Sequence, residues 1–249
     1  MTGQPTIDQH ADVAHRVEQL FAESGAYRQG HFKLKSGRHG DRYLEKFQVL
    51  QWPDRVAEIC GYLADRARAA AGEQPIDVVV GPTTGGVILS FEVARRLDTR
   101  GVFAELVTTA DGSTRELRRG FRIEPGERVA LVDDVVTTGT SLLEMLPLIE
   151  RTGGEVAATV VIVDRSGELH GLTSPATGRR YEAEALWSLS LPTYEPGAAT
   201  CPGCAANLPL EAPGSSGTAT AQSRQAATAP PRRTLRAAPG PRRFPRTSR

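Results

Sequence analysis

Two aspartates stand side by side in the stretch RVALVDDVVTTGTSL, Arg128 to Leu142. Asp133 and Asp134 follow the apolar run Val129 to Val132 and precede Val135, Val136, Thr137, Thr138, Gly139, Thr140 and Ser141. Adjacent carboxylates accept hydrogen bonds from sugar hydroxyls or hold a hydrated divalent cation. A turn of hydroxyl residues and glycine that opens a helix offers a phosphate its backbone N–H groups and the positive end of the helix dipole. Phosphate at one end and a diol at the other describe a ribose 5-phosphate. The competing reading of the same residues is a Ser/Thr helix cap beside an Asp-containing turn. A second turn, GPTTGG, contains Thr84 and Gly85 and lets the main chain approach a diphosphate.

The stretch FKLKSGRHGDRYLEK, Phe32 to Lys46, holds all three lysines of the chain, Lys33, Lys35 and Lys46. The other 27 of the 30 basic side chains are arginines. An ammonium on a flexible stem is a point charge that pairs with whichever phosphate oxygen is presented. Lys33 and Lys46 are expected on a solvated strand face.

These residues need a frame. Apolar residues at Val13, Val17, Leu20 and Phe21 have helical spacing over Asp8 to Ser24. HFKLKSG and DRYLEKF alternate and predict short strands around a glycine turn. Pro53 to Ala71 reads as a helix, IDVVVG as a buried strand, and Val87 to Leu97 as the helix after GPTTGG. GVFAELV, RVALVDD, EVAATVVIVDR and YEAEALWSL read as further strands, with a helix from Ser141 to Thr152. Strands alternating with helices predict an α/β fold with a central parallel sheet and a site at the carboxyl ends of its strands.

From Ala212 onward the chain turns to Pro, Ala, Ser, Thr, Gly and Arg, with eight arginines and no acid. Without that segment the formal charge of +1 becomes about −7. The segment lacks the apolar periodicity needed to offset its ordering entropy, so residues 1–211 are expected to form the domain and 212–249 a disordered tail. A solvated tail is preferred over a nucleic-acid contact. No apolar run reaches membrane-spanning length and no secretory pattern opens the chain, so a membrane is not expected and a cytoplasmic location is. Cys201 and Cys204 form a single CxxC. A structural zinc needs four ligands, and with no second pair in the chain no bound metal is expected unless two subunits share one.

The order apolar strand, two acids, two apolar residues, Thr-Thr-Gly-Thr-Ser closely resembles the phosphoribosyl pyrophosphate motif of type I phosphoribosyltransferases. Within that group the chain resembles orotate phosphoribosyltransferases over about residues 15 to 195. FAESGAYRQGHFKLKSGRHGDRYL, VVGPTTGGVILSFEVARRL and VVIVDRSG carry the likeness. The resemblance implies a type I phosphoribosyltransferase fold with a small N-terminal hood. It also implies Mg²⁺ as cofactor, phosphoribosyl pyrophosphate and orotate as substrates, a homodimer, and a place in pyrimidine nucleotide synthesis. It puts Lys35 on phosphoribosyl pyrophosphate, and Tyr43, Thr137 and Arg165 on orotate. Arg165 would meet the carboxylate edge, unless it merely pairs with Asp164. Tyr43 and Leu44 match a position where the family stacks aromatic rings on the pyrimidine, and Leu44 departs from an aromatic.

A second departure concerns the family's mobile loop, whose lysine and histidine cover the diphosphate. The matching segment AELVTTADGSTRELRRGF has neither. Its cations are Arg115, Arg118 and Arg119, and Arg115 is expected to act from a mobile lid, Thr108 to Leu117, that reaches a neighbouring subunit's site. Two alternatives stay open: a purine-type phosphoribosyltransferase, and a non-catalytic sensor of phosphoribosyl pyrophosphate.

Overall fold

The computed structural model describes residues 7–109, 112–167 and 169–213, which belong to one compact unit. Helix α1 (Ile7–Glu23) leads into strands β1 (Tyr27–Lys33) and β2 (His39–Leu44), a short helix α2 (Phe47–Leu50) and the long helix α3 (Pro53–Ala71). Pro53 opens α3 at a position where the missing N–H costs nothing. Then come β3 (Val78–Pro82), α4 (Gly85–Leu97), the hairpin β4 (Arg100–Thr109) and β5 (Gly112–Leu117), β6 (Arg128–Val136), α5 (Thr140–Arg151) and β7 (Glu155–Asp164). The chain ends with β8 (Leu172–Thr173), β9 (Arg180–Tyr181), β10 (Glu184–Ser188), β11 (Thr193–Tyr194) and the single turn α6 (Pro202–Ala205).

The main sheet runs β10-β7-β6-β3-β4-β5, parallel throughout except for the antiparallel β4–β5 pair. Its central strands read as unbroken apolar runs because both faces are covered. On one face Val79, Ala130, Val132, Val160 and Ile162 pack against Phe21 of α1, Ile59 and Leu63 of α3, and Leu89 of α4. On the other, Val78, Val80, Leu131 and Val161 meet Leu142, Met145, Leu146 and Ile149 of α5. The expected parallel α/β architecture is therefore present.

Strand order changes direction between β3 and β6. From β3 the chain passes through α4 to β4 on one side, and from β6 through α5 to β7 on the other. Ligands of open parallel sheets bind in the crevice that such a switch leaves at the carboxyl ends. Pairing of β6 with β3 ends at Leu131, whereas pairing with β7 continues to Val136. Asp133 and Asp134, expected at the exit of the strand, therefore sit inside it, beyond the last residue of β6 that pairs with β3.

The hood is a separate three-stranded sheet, β1-β2-β11. Its β1–β2 turn closes through Leu34 N to Arg38 O at 2.8 Å and Gly37 N to Leu34 O at 2.9 Å, with Gly37 at φ +84°. Trp187 of β10 fixes the hood to the main sheet, edge-on to Phe21 at 5.7 Å and to Tyr27 at 5.4 Å. The end of the described chain also docks there: Glu211 N donates to His31 O and Lys33 N donates to Glu211 O. The tail predicted from Ala212 lies, from residue 214 onward, outside the described residues.

One expectation is corrected. Within the segment Thr108 to Leu117, the described residues 108–109 and 112–117 are paired strand and not open loop. They belong to the β4–β5 hairpin, whose register runs from Ala104↔Leu117 to Thr109↔Gly112. The alternation of VFAELV simply continues, and Gly112 at φ +129° lets β5 begin.

The glycines of GPTTGG have a packing role that composition alone does not reveal. A Cβ on Gly81 would lie 2.6 Å from the Gly86 carbonyl oxygen, so α4 can start only because both residues lack side chains. Gly81→Ala is expected to destabilise the fold by about 1–3 kcal/mol, read as a lower urea midpoint at unchanged slope.

Candidate active site at the sheet switch point

The acid pair is nearly sealed from solvent: Asp133 is 5% and Asp134 2% exposed. Asp133 accepts from the Ser141 hydroxyl at 2.5 Å and from the Asp134 backbone N–H at 2.8 Å. Asp134 accepts from Val135 N at 2.6 Å and from the Lys46 ammonium at 2.7 Å. The other carboxylate oxygen of Asp134, Oδ2, is buried with no hydrogen-bond partner among the described residues. A Cβ on Gly85 would overlap that same carboxylate, so glycine at the start of α4 is what admits it.

Burial first, and then the charge of Asp134, push Asp133 up to about 6 from an ordinary 3.8. Ser141, the Asp134 amide and Lys46 pull the other way. Burial thus disfavours the charge on Asp133, and a few donors offset part of that cost. It fits a ligand that brings hydroxyl donors or a cation, which the orphaned Asp134 oxygen also calls for.

Lys46 was expected on a solvated strand face. It instead ends the hood connection and turns inward to Asp134, its side chain 34% exposed. Its placement just before α2 explains the difference: the short helix bends the chain back over the crevice, and no periodicity signals a four-residue helix. The usable signal was the rarity of lysine itself. Lys35 lies exposed in the β1–β2 turn, as does Lys33 at the end of β1.

The turn before α5 does not form the side-chain cap of the competing reading. Gly139, at φ +75°, precedes α5 with no side-chain cap. The Ser141 hydroxyl is taken by Asp133, and Thr138 and Thr140 hydroxyls bond each other at 2.8 Å. Thr84 likewise precedes α4 with no side-chain cap, and it is exposed with Thr137, Thr138 and Thr140. Two helix N-termini with free amides therefore open on the ends of adjacent strands, β3 and β6, and each is suited to an anion. Val135 and Val136 point into the two core layers and offer only backbone.

Arg165 follows β7. Its guanidinium is half-buried, its Nε has no hydrogen-bond partner among the described residues, and desolvation lowers its pKa. The alternative of an ion pair with Asp164 does not occur. Asp164 accepts instead from Ser166 N at 2.7 Å, Ser166 Oγ at 2.6 Å and Leu169 N at 3.3 Å. Arg165 stands close enough to Tyr43 that the two influence each other's ionisation, and burial, with Glu45, raises the Tyr43 phenol. A half-buried guanidinium whose Nε lacks an acceptor among the described residues is suited to an anion. Leu44, on the opposite face of β2, packs against the core and not beside Tyr43.

Arg115 is the main correction. It is 7% exposed on β5, bonded to Glu144 at 3.0 Å, with its Nη1 3.3 Å from the Thr83 hydroxyl. It braces the GPTTGG turn from behind and is not a free lid cation. Arg118 pairs with Glu116 and Arg119 with Glu105. Sequence reasoning missed Glu144 because its partner is 29 residues away on another element. A groove lined by Arg16, Tyr62, Arg66 and Ile76 lies at the amino end of β3, away from all these groups.

Two outcomes follow from the charges. Lys46→Met strands a buried carboxylate. Its cost is expected at about 1–3 kcal/mol, below the about 3–5 of a fully buried pair because water reaches the lysine. It should also move the acid limb of any pH–rate profile upward. Because Asp133 binds its proton more tightly folded than unfolded, its contribution to stability is greatest below about pH 4 and is lost as pH rises to about 6. Asp133→Asn should therefore gain stability over wild type across that window, measured as the difference in urea midpoints.

Comparison with known proteins agrees with this geometry. Residues 47–175 match the phosphoribosyl transferase domain family. The chain is 42% identical over 197 residues to an orotate phosphoribosyltransferase of Caldicellulosiruptor saccharolyticus, covering 79% of this chain and 94% of that one. It is 43% identical over 196 residues to the orotate phosphoribosyltransferase of Pelotomaculum thermopropionicum, again covering 79% and 94%. Among solved structures, the orotate phosphoribosyltransferase of Aeropyrum pernix superposes with a TM-score of 0.56 at 25% identity, over 70% of this chain and 93% of that one. The acid pair at the switch point, the two open helix N-termini and Arg165 are thus carried by a chain that belongs to the orotate phosphoribosyltransferase family.

Proposed function

We propose that the protein transfers the 5-phosphoribosyl group of phosphoribosyl pyrophosphate to orotate, giving orotidine 5′-monophosphate and pyrophosphate in pyrimidine nucleotide synthesis. The observation that carries this reading is Arg165, a half-buried guanidinium short of an acceptor beside Tyr43. Orotate brings the carboxylate that would satisfy it. A purine base brings none, which weighs against the purine-type alternative.

The 5′-phosphate would rest on the amides of Thr137 to Ser141, and the diphosphate on those of Thr84 and Gly85. Asp133 and Asp134 would accept the ribose hydroxyls, Asp134 through its unpartnered oxygen. Orotate, deprotonated at N1, attacks the anomeric carbon as the bond to the diphosphate oxygen breaks. Positive charge grows on the sugar between two fixed anions, so the chain acts mainly by positioning and by electrostatics. The hard oxygen donors of the pair fit a hydrated Mg²⁺, which would supply neutralisation of the leaving diphosphate. With Arg115, Arg118 and Arg119 paired and Lys46 held by Asp134, Lys35, exposed in the β1–β2 turn, is the cation that would serve the diphosphate. We place the enzyme in the cytoplasm as a homodimer. No described helix is long and apolar enough to cross a membrane, and Phe91 on α4, 69% exposed, offers apolar surface to a second copy. Residues 214–249 are assigned no part in the reaction.

Pyrophosphate release measured across a panel of bases tests the activity: orotate should support it, and adenine, guanine and hypoxanthine should not. Silence with every base would favour the sensor reading. Arg165→Gln should raise the KM for orotate by about ten- to a hundredfold, the equivalent of about 1.5–3 kcal/mol for a charge-assisted bond. The KM for phosphoribosyl pyrophosphate should change far less.

A further inference from the structure

The CxxC pair does not stand alone. His31 of β1, His39 of β2, Cys201 and Cys204 converge so that one ligand atom from each lies within 4.8 Å of all the others. The expectation that two further ligands were missing is corrected: they are imidazoles from the hood, 160 and more residues away in sequence, and not a second cysteine pair. We infer that these four side chains form a structural zinc site that fastens the C-terminal turn α6 to the β1–β2 hairpin.

The geometry suits the ion. Tetrahedral zinc, with Zn–S of about 2.3 Å and Zn–N of about 2.0–2.1 Å, separates sulfur from nitrogen ligands by about 3.5 Å. Here Cys201 Sγ lies 3.4 Å and Cys204 Sγ 3.6 Å from His31 Nε2, and Cys204 Sγ lies 3.3 Å from His39 Nδ1. The two imidazole nitrogens face each other at 2.8 Å, a hydrogen-bond spacing that would open to about 3.3 Å around a tetrahedral ion. His31 Nδ1 lies 3.0 Å from the Leu208 carbonyl oxygen. A proton donated there leaves Nε2 with a free lone pair, the arrangement that orients metal-bound histidines.

The surroundings fit as well. His31 is 4%, His39 6% and Cys201 2% exposed. Two thiolates, two neutral imidazoles and one Zn²⁺ sum to zero charge, which a buried site requires. Sulfur and nitrogen ligands in a tetrahedral set select zinc over magnesium. Gly203, between the cysteines, has no room for a side chain, since a Cβ would lie 2.5 Å from the His31 ring. Four ligands fill the coordination shell, so the ion is structural and takes no substrate. The two histidines bracket the Leu34–Arg38 turn, so the site would hold the turn that presents Lys35.

Metal content and spectroscopy of the full chain, purified without chelator from zinc-supplemented cells, test this without using turnover. Mass spectrometry should find about one zinc per chain, and Cys201→Ser/Cys204→Ser should retain less than about a tenth of it. Co²⁺ exchanged into the wild type should show thiolate-to-cobalt charge transfer and intense tetrahedral d–d bands. Titrating the wild-type thiols with a mercurial should release zinc in step, a readout that stands even where the double variant folds poorly. Zinc absent from the wild type, zinc retained equally by a folded double variant, octahedral cobalt, or a Cys201–Cys204 disulfide in the purified protein would each overturn the inference.

Discussion

Two adjacent carboxylates buried in one strand impose the constraint on which the rest of the site depends. Asp133 and Asp134 repel each other, and burial weakens the water that would otherwise screen them. The fold answers with Lys46, Ser141 and two backbone amides. It also answers with an absence, the missing side chain of Gly85. Each answer comes from a different element: the hood connection, α5, β6 itself and α4. Their meeting at the switch point makes the arrangement of the sheet a requirement of the acid pair.

Around this negative centre the positive potentials are spread out. The α4 and α5 N-termini lie over adjacent strand ends, and Arg165 follows the next strand, β7. None is neutralised by a side-chain cap or by an ion pair among the described residues. By contrast, Arg115 is paired and buried and acts by bracing Thr83. The contrast separates groups that await a ligand from groups that hold the frame.

The parallel sheet and the main helices were legible because β3, β6 and β7 are covered on both faces and α3 and α5 on one, which writes distinct periodicities into the chain. The turn between β6 and α5 was legible because its small and hydroxyl residues, with Gly139, mark a strand-to-helix connection. Lys46 was misread because it precedes a four-residue helix, α2, that leaves no period, and Arg115 because its partner Glu144 lies on another element. The β4–β5 pair looked like a loop because Asp111, Gly112 and Ser113 read as turn residues, although Gly112 and Ser113 already pair with Thr109 and Thr108. His31 and His39 carried no signal beside Cys201 and Cys204, since ligands from distant elements share no local spacing.

On the proposed function, the fold bears the acid pair for the sake of the sugar and not for its own stability. The direct measurement is turnover and thermal stability of Asp133→Asn/Asp134→Asn on the same sample at neutral pH. Turnover should fall by orders of magnitude, about 3–5 kcal/mol of lost transition-state stabilisation, while the melting temperature holds or rises as the buried charge is removed. Near-normal turnover in the folded double variant would contradict the account.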